Sequence, residues 1–300
     1  MFAHWTVGRL ALLTVVLLAG FTVSDLPAQE ALRWKFSPGE TLKVSFLQTA
    51  NTETVGAGAR TTIAIVMGME MTWRIESVDA DGTAKMTQSF DRLTMSMKTG
   101  DVASVDYDSA AEPTSAPARE IAAAVGPLIG AKFHLTMNSR GEILDVQLSA
   151  AAQAAVAANT NEGLKSFFST EGISRVLRQS VVPFPEQPLA AGDTWKSTAD
   201  VDSPLGKLKQ TSVYTYVGRK ARDGRMLDQI KVDSSLQVDP KAVRAKTTIK
   251  SQSQAGEVWF DRELGRLVES QILQKLTTVR PYRDTQIEVR STSKLTTSIR

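Results

Sequence analysis

The 300-residue chain contains no cysteine, and its only histidines are His4 and His134. Without thiols there is no disulfide, no thiolate nucleophile, no zinc–thiolate site and no lipid-modified N-terminal cysteine. His134 is the only histidine beyond residue 28, so a multi-histidine metal centre is excluded and only oxygen-ligand metals remain. A serine–histidine–aspartate triad would have to use His134, yet no Gly-x-Ser-x-Gly elbow exists to hold its nucleophile. Aromatic residues make up 6% of the chain, too few for an obvious sugar-stacking platform. Charge of neither sign dominates: the net charge is +3 and no polybasic run occurs, so nucleic acid is not an expected partner.

Long apolar runs are also scarce. The first, Leu10–Val23, is broken only by Thr14, Gly20 and Thr22 and follows a short start holding Arg9. It is shorter than the roughly 20 residues a membrane-spanning helix needs and fits the apolar region of a signal peptide. Leu26-Pro27-Ala28 places a small residue before a cut. Residues 1–28 are therefore expected to be a signal peptide, with Gln29 opening an exported, periplasmic or extracellular product; the alternative is an uncleaved N-terminal anchor. No later segment is apolar enough to cross a bilayer. Losing Arg9 and Asp25 leaves the net charge at +3. A chain without disulfides must rely on its core, and this one is long enough for one large domain or two small ones.

What the chain does have is a period of two. Ile63, Ile65, Met67, Met69, Met71, Trp73 and Ile75 occupy every second position, as in a half-buried antiparallel strand. Leu93, Met95 and Met97 alternate with Thr94, Ser96 and Lys98. Ile230, Val232, Ser234, Leu236 and Val238 share one phase, as do Ile287, Val289, Leu295 and Ile299. Asp79-Ala80-Asp81-Gly82, Asn138-Ser139-Arg140-Gly141, Arg222-Asp223-Gly224 and Asp261–Gly265 supply hairpin turns between strand-like runs. Helical signals fill the middle: Pro117–Ile129, with Ile121, Val125 and Leu128 on one face; Ser149–Ala158, with Ser149 as N-cap; and stretches opened by Asn161 and Glu171. Pro183-Phe184-Pro185 ends them.

Two β-rich halves share an order. Phe36–Leu42 parallels Leu189–Trp195, Trp73–Val78 before Asp81-Gly82 parallels Val213–Val217 before Asp223-Gly224, and Phe133–Val146 parallels Glu257–Glu269. The first half carries extra material, a Gly/Thr-rich loop at Thr49–Arg60 and the helix near Pro117–Ile129. The expected fold is α+β and β-dominated: curved antiparallel sheets from two similar halves, with helices between them. The expected divisions are an N-terminal half at 29–148 with one inserted helix, a helical connector at 149–185 and a C-terminal half at 186–300.

Motifs with chemistry are few. An EF-hand loop starting at Asp79 would need Gly and Glu where Ala84 and Phe90 stand, so that segment reads as a hairpin. Gly56-Ala57-Gly58 lacks the third glycine of a dinucleotide loop. Ser291-Thr292-Ser293-Lys294 and Lys98-Thr99-Gly100 match β-lactamase triplets in reversed order, with the serine on a strand where a helix is required. His134 reads as a partly exposed strand residue. A carboxylate pair for glycoside hydrolysis, which meets only in three dimensions, stays open. The positive signal is apolar. Met67, Met69, Met71, Met86, Met95 and Met97 concentrate in one hairpin, and Phe167, Phe168, Val176 and Leu177 form an apolar helical face. Met67, Met69, Met71, Met95, Met97, Phe167, Phe168 and Leu177 are the candidate lining of a groove for a lipid or acyl chain, against the alternative of ordinary core.

Trp34–Glu40, Asn138–Ile143 and a proline-rich lead into Gly192-Asp193-Thr194-Trp195 resemble an uncharacterised, domain-of-unknown-function family of exported proteins from Bacteroidetes and Planctomycetes. The resemblance covers most of Leu32–Ile299. Many members resemble lipoproteins with a lipobox cysteine, which this chain lacks, and the resemblance implies no activity and no functional residues. The expected function is a non-enzymatic exported protein, without cofactor or metal, that binds an apolar small molecule. The alternatives are an envelope scaffold working through protein contacts and a hydrolase with an unrecognised carboxylate pair.

Overall fold

The structure, a computed structural model, describes residues 30–56, 58–159, 165–166, 168–203, 206–238, 247–283 and 285–300. The expected signal peptide, Ala57 of the first glycine pair and the helix start at Asn161 lie outside the described residues. Among those described, twelve strands and three α-helices form. The strands are β1 (Thr41–Gly56), β2 (Ala59–Val78), β3 (Ala84–Thr99), β4 (Val102–Asp108), β5 (Lys132–Met137), β6 (Ile143–Leu148), β7 (Thr194–Ser203), β8 (Gly206–Arg222), β9 (Arg225–Val238), β10 (Thr248–Asp261), β11 (Arg266–Tyr282) and β12 (Thr285–Ile299). The helices are α1 (Ala116–Val125), α2 (Ala150–Ala158) and α3 (Thr170–Ser180).

All strands join one curved antiparallel sheet, in the order β6-β5-β3-β2-β1-β12-β11-β10-β9-β8-β7, with β4 beside β3. The long alternating runs read from the sequence are its central strands, and the four turn motifs are hairpins. Two local expectations need correction. Thr49–Arg60 is not a loop: apart from the turn it completes β1 and begins β2, because Thr49 to Val55 pair with β12 on one side and β2 on the other. Both sheet faces there are partly solvated, so no alternation marks the strand, while its threonines suit a pleated surface. The helix at Pro117–Ile129 ends at Val125, where Gly126-Pro127 tighten the chain into a short 3-10 turn.

The halves repeat one plan. The order β6-β5-β3-β2-β1 matches β11-β10-β9-β8-β7, with β12 between the two sets. Gly39 N–H donates to Ile75 O and Ile75 N–H to Glu40 O; Gly192 N–H donates to Tyr216 O and Tyr216 N–H to Asp193 O. Glu40 accepts from Ser37 N–H, as Asp193 does from Ala190 N–H. The β2–β3 register shifts at Ile75/Ser77 and the β8–β9 register at Tyr216/Gly218. The β5–β6 and β10–β11 registers shift at Met137 and Phe260. Bulges at matching levels bend both halves alike.

The segment after α3 straps the two ends of the sheet together. Trp34 Nε1 donates to Val182 O at 3.2 Å, Trp195 Nε1 to Pro183 O at 2.6 Å, and Phe184 N–H to Arg140 O at 2.7 Å. Phe184 packs edge-on to Phe260, and Phe260 edge-on to Trp34. Fully burying aromatic and aliphatic groups of this kind contributes about 1.5–3 kcal/mol each, so the strap belongs to the core.

Candidate functional site: a cavity between α3 and the second half of the sheet

Helix α3 divides the inside of the sheet. Ser169 caps it, its Oγ accepting from Gly172 N–H at 3.0 Å, and Glu171 and Arg178 suit the charges of its two ends. Ile173, Val176 and Leu177 form one face, which packs on Met69, Met71 and Phe90 and leaves only about 10 Å³ between them. That is room for no more than about one water. The other face carries Thr170, Glu171, Ser174, Arg175 and Arg178 and borders a cavity of about 420 Å³.

The apolar part of this cavity comes from Val181, Val182, Ala199, Val232, Val258 and Ile272; hydroxyl and amide groups make up most of the rest, with charged side chains at its border. Ser212 and Ser234 hydroxyls lie 2.8 Å apart, Ser197 Oγ is 3.3 Å from Tyr214 Oη, and Gln210 Nε2 is 3.4 Å from Ser212 Oγ. Burial pushes the Tyr214 phenol above its ordinary range, partly opposed by its hydrogen bonds with Ser197 and Ser212, so it stays neutral. Ser270 is only 7% exposed and borders the cavity, yet its hydroxyl has no hydrogen-bond partner among the described residues; neither has the Gln254 amide. Four charged side chains border the space, Glu171, Arg175, Arg178 and Asp200, two of each sign.

Register extends the pattern beyond the cavity. Ser197 pairs with Ser212, Ser212 with Ser234, Ser234 with Gln254, Gln254 with Gln274, and Gln274 with Ser293. Paired residues point to one side of a sheet, so six neighbouring strands, β7 to β12, carry a polar stripe on the inner face. Across the seam Ser293 pairs with Ala50, and the same row continues through Ile65, Met97 and Val105. One row is thus polar in the second half and apolar in the first.

Of the residues proposed from sequence to line a groove, Met69, Met71, Phe168 and Leu177 are buried in the core, and Phe90 meets Phe168 edge-on. Met67, Met95 and Met97 are half-buried on the same face of the first half, and Phe167 lies outside the described residues. The residues missed are Ser197, Gln210, Ser212, Ser234, Gln254 and Ser270. For Ser234 a signal was present: it interrupts Ile230, Val232 and Leu236 in the inward phase of β9. His134 is exposed, with Nδ1 3.2 Å from Thr87 Oγ1. Among the described residues no group of three or more His, Asp or Glu side chains gathers as metal ligands, and no helix is long and apolar enough to cross a membrane.

Residues 81–265, more than half of the chain, match a family described as a family of unknown function (DUF6263). No curated protein matches the sequence. Among solved structures, the chain is similar to lipovitellin, solved for its lipid–protein interactions, at 11% identity and a TM-score of 0.43. That match covers 87% of this chain and 25% of lipovitellin, so the chain spans a quarter of that protein. It is also similar to an exported protein of YmcC-like fold from Bacteroides fragilis, at 9% identity and a TM-score of 0.27, covering 87% and 96% of the two chains. An outer-membrane channel from Pseudomonas putida matches at 6% identity and a TM-score of 0.23, covering 89% and 97%. Likenesses this distant carry no argument about ligand or role.

Proposed function

The chain belongs to DUF6263, a family of unknown function, and on that premise we propose that it is a non-enzymatic, exported binding protein whose cavity beside α3 takes one small amphiphilic molecule. Export rests on the residues of 1–28, with their short apolar run and small residue before a cut. The observation that carries the binding reading is the cavity itself. It has the volume of a small-molecule site, an apolar floor, and polar groups facing it, of which Ser270 and Gln254 have no side-chain hydrogen-bond partner among the described residues. A hydroxyl or amide that faces the cavity without a protein partner is free to donate to and accept from a ligand group that reaches it. The floor favours an apolar portion at one end of the ligand and the wall a hydrogen-bonding portion at the other. No nucleophile with an adjacent base lies in the cavity lining, which favours binding over catalysis.

Native mass spectrometry of the protein after incubation with a total bacterial lipid extract tests this. One bound amphiphile per chain is expected. Ser174→Trp, which projects from the cavity side of α3 and touches none of its core face, should abolish the adduct at unchanged melting temperature. A compact protein that takes up nothing, or a Ser174→Trp variant that binds as well as the parent, would sink the reading.

A further inference from the structure

We propose that the ligand's polar end is an uncharged polyhydroxyl group, making the ligand an alkyl glycoside in chemical class; this rests on the reading of the cavity as a binding site. The stripe Ser197, Ser212, Ser234, Gln254, Gln274 and Ser293 contains no charged side chain. Hydroxyls and amides both donate and accept, which matches ligand hydroxyls that do the same. A carboxylate or phosphate only accepts, and its recognition calls for arginine or lysine forks aimed at it. The charges at the cavity occur two of each sign and provide no net field for an ionic head.

The stripe is not a requirement of the fold. At the same level of the first half stand Ala50, Ile65, Met97 and Val105, so the bend and pairing tolerate aliphatic side chains there. Six strands at a spacing of about 4.8 Å span roughly 24 Å, more than one sugar ring needs. Recognition by hydroxyl and amide groups also accommodates a sugar without the exposed aromatic platforms that this composition lacks. The alkyl tail lies on Val181, Val182, Val258 and Ile272.

Isothermal titration calorimetry with three probes whose alkyl tails are eleven or twelve carbons long isolates the head: n-dodecyl-β-maltoside, laurate and dodecylphosphocholine, each below its micelle concentration. The maltoside is expected to bind at least tenfold tighter than either charged-head probe. Ser212→Val combined with Ser234→Val should erase that preference while laurate affinity stays within twofold. Gln254→Leu, at a half-buried amide with no partner among the described residues, repeats the test if the double variant does not fold. Equal or tighter binding of laurate or dodecylphosphocholine overturns the inference, as does a preference that survives both variants. If all three probes bind equally and Ser174→Trp blocks them, the cavity reading stands and the head-group inference alone fails. If none binds, both fall.

Discussion

Asp228 is the most completely buried charged side chain among the described residues, at 0% exposure, and it is fully paired. Arg262 Nε and Nη2 donate to its two oxygens at 2.8 and 2.5 Å, and Tyr216 Oη donates to it at 2.6 Å while accepting from Arg262 at 2.9 Å. Asp228→Ala strands a guanidinium inside the protein, and breaking one partner of such a pair costs about 3–5 kcal/mol. Urea unfolding is expected to show a loss in that range. Burial, then the hydrogen bond to Asp228 and its charge, push the Tyr216 phenol up to about 12. Unfolded tyrosine titrates near about 10, so the folded state holds this proton more tightly. The stability it adds is complete below about pH 10 and lost as pH rises towards 12. Tyr216→Phe should therefore make the alkaline fall in stability shallower; an unchanged slope between pH 9 and 12 would refute this.

A second residue-scale case has the opposite sign. Gln88 is fully buried, its Oε1 has no partner, and its Nε2 reaches only Met86 Sδ at 3.7 Å. Its cross-strand neighbour Trp73 holds an equally unpartnered indole N–H. Replacing an unpaired buried amide by an apolar group of similar shape removes a desolvation cost. Gln88→Met is expected to be neutral or stabilising by about 1 kcal/mol, and thermal unfolding showing a clear loss would contradict it.

At the scale of elements, α3 has two roles set by one amphipathic pattern. Ile173 and Leu177 anchor it to the first half of the sheet, and Ser174, Arg175 and Arg178 border the cavity against the second. Its N-terminus depends on a single serine cap. Losing such a cap costs about 1 kcal/mol, so Ser169→Ala should loosen the first turn of α3. Hydrogen exchange of residues 171–174 is expected to quicken several-fold while β9 and β10 stay protected. Faster exchange spread over the whole chain would instead mean global destabilisation.

The whole molecule is held by a pairing between distant parts of the chain. β1 lies beside β12, with Val44 opposite Ile299 and Val55 opposite Glu288, and this seam joins the two repeated halves. A chain truncated after Tyr282 loses β12 and leaves β1 and β11 without a shared neighbour. Circular dichroism and urea titration are expected to find that truncated chain unfolded or lacking a cooperative transition. Because the seam must close before the core is complete, refolding of the intact chain should be slow for its size.

The sequence by itself determined the pleated, antiparallel character of the chain, its hairpin turns, the helix cap at Ser149 and a helical stretch near Glu171. Those features depend on side-chain period and on turn residues a few positions apart, which a linear reading registers directly. Only the tertiary structure decided which apolar phase was filled and which was left open. Met69 and Met71 were legible as one face of a strand, but that α3 covers them closely depends on a contact across a hundred residues. The serines and glutamines of the stripe are scattered over six strands and stand side by side only through register, so no local pattern joined them.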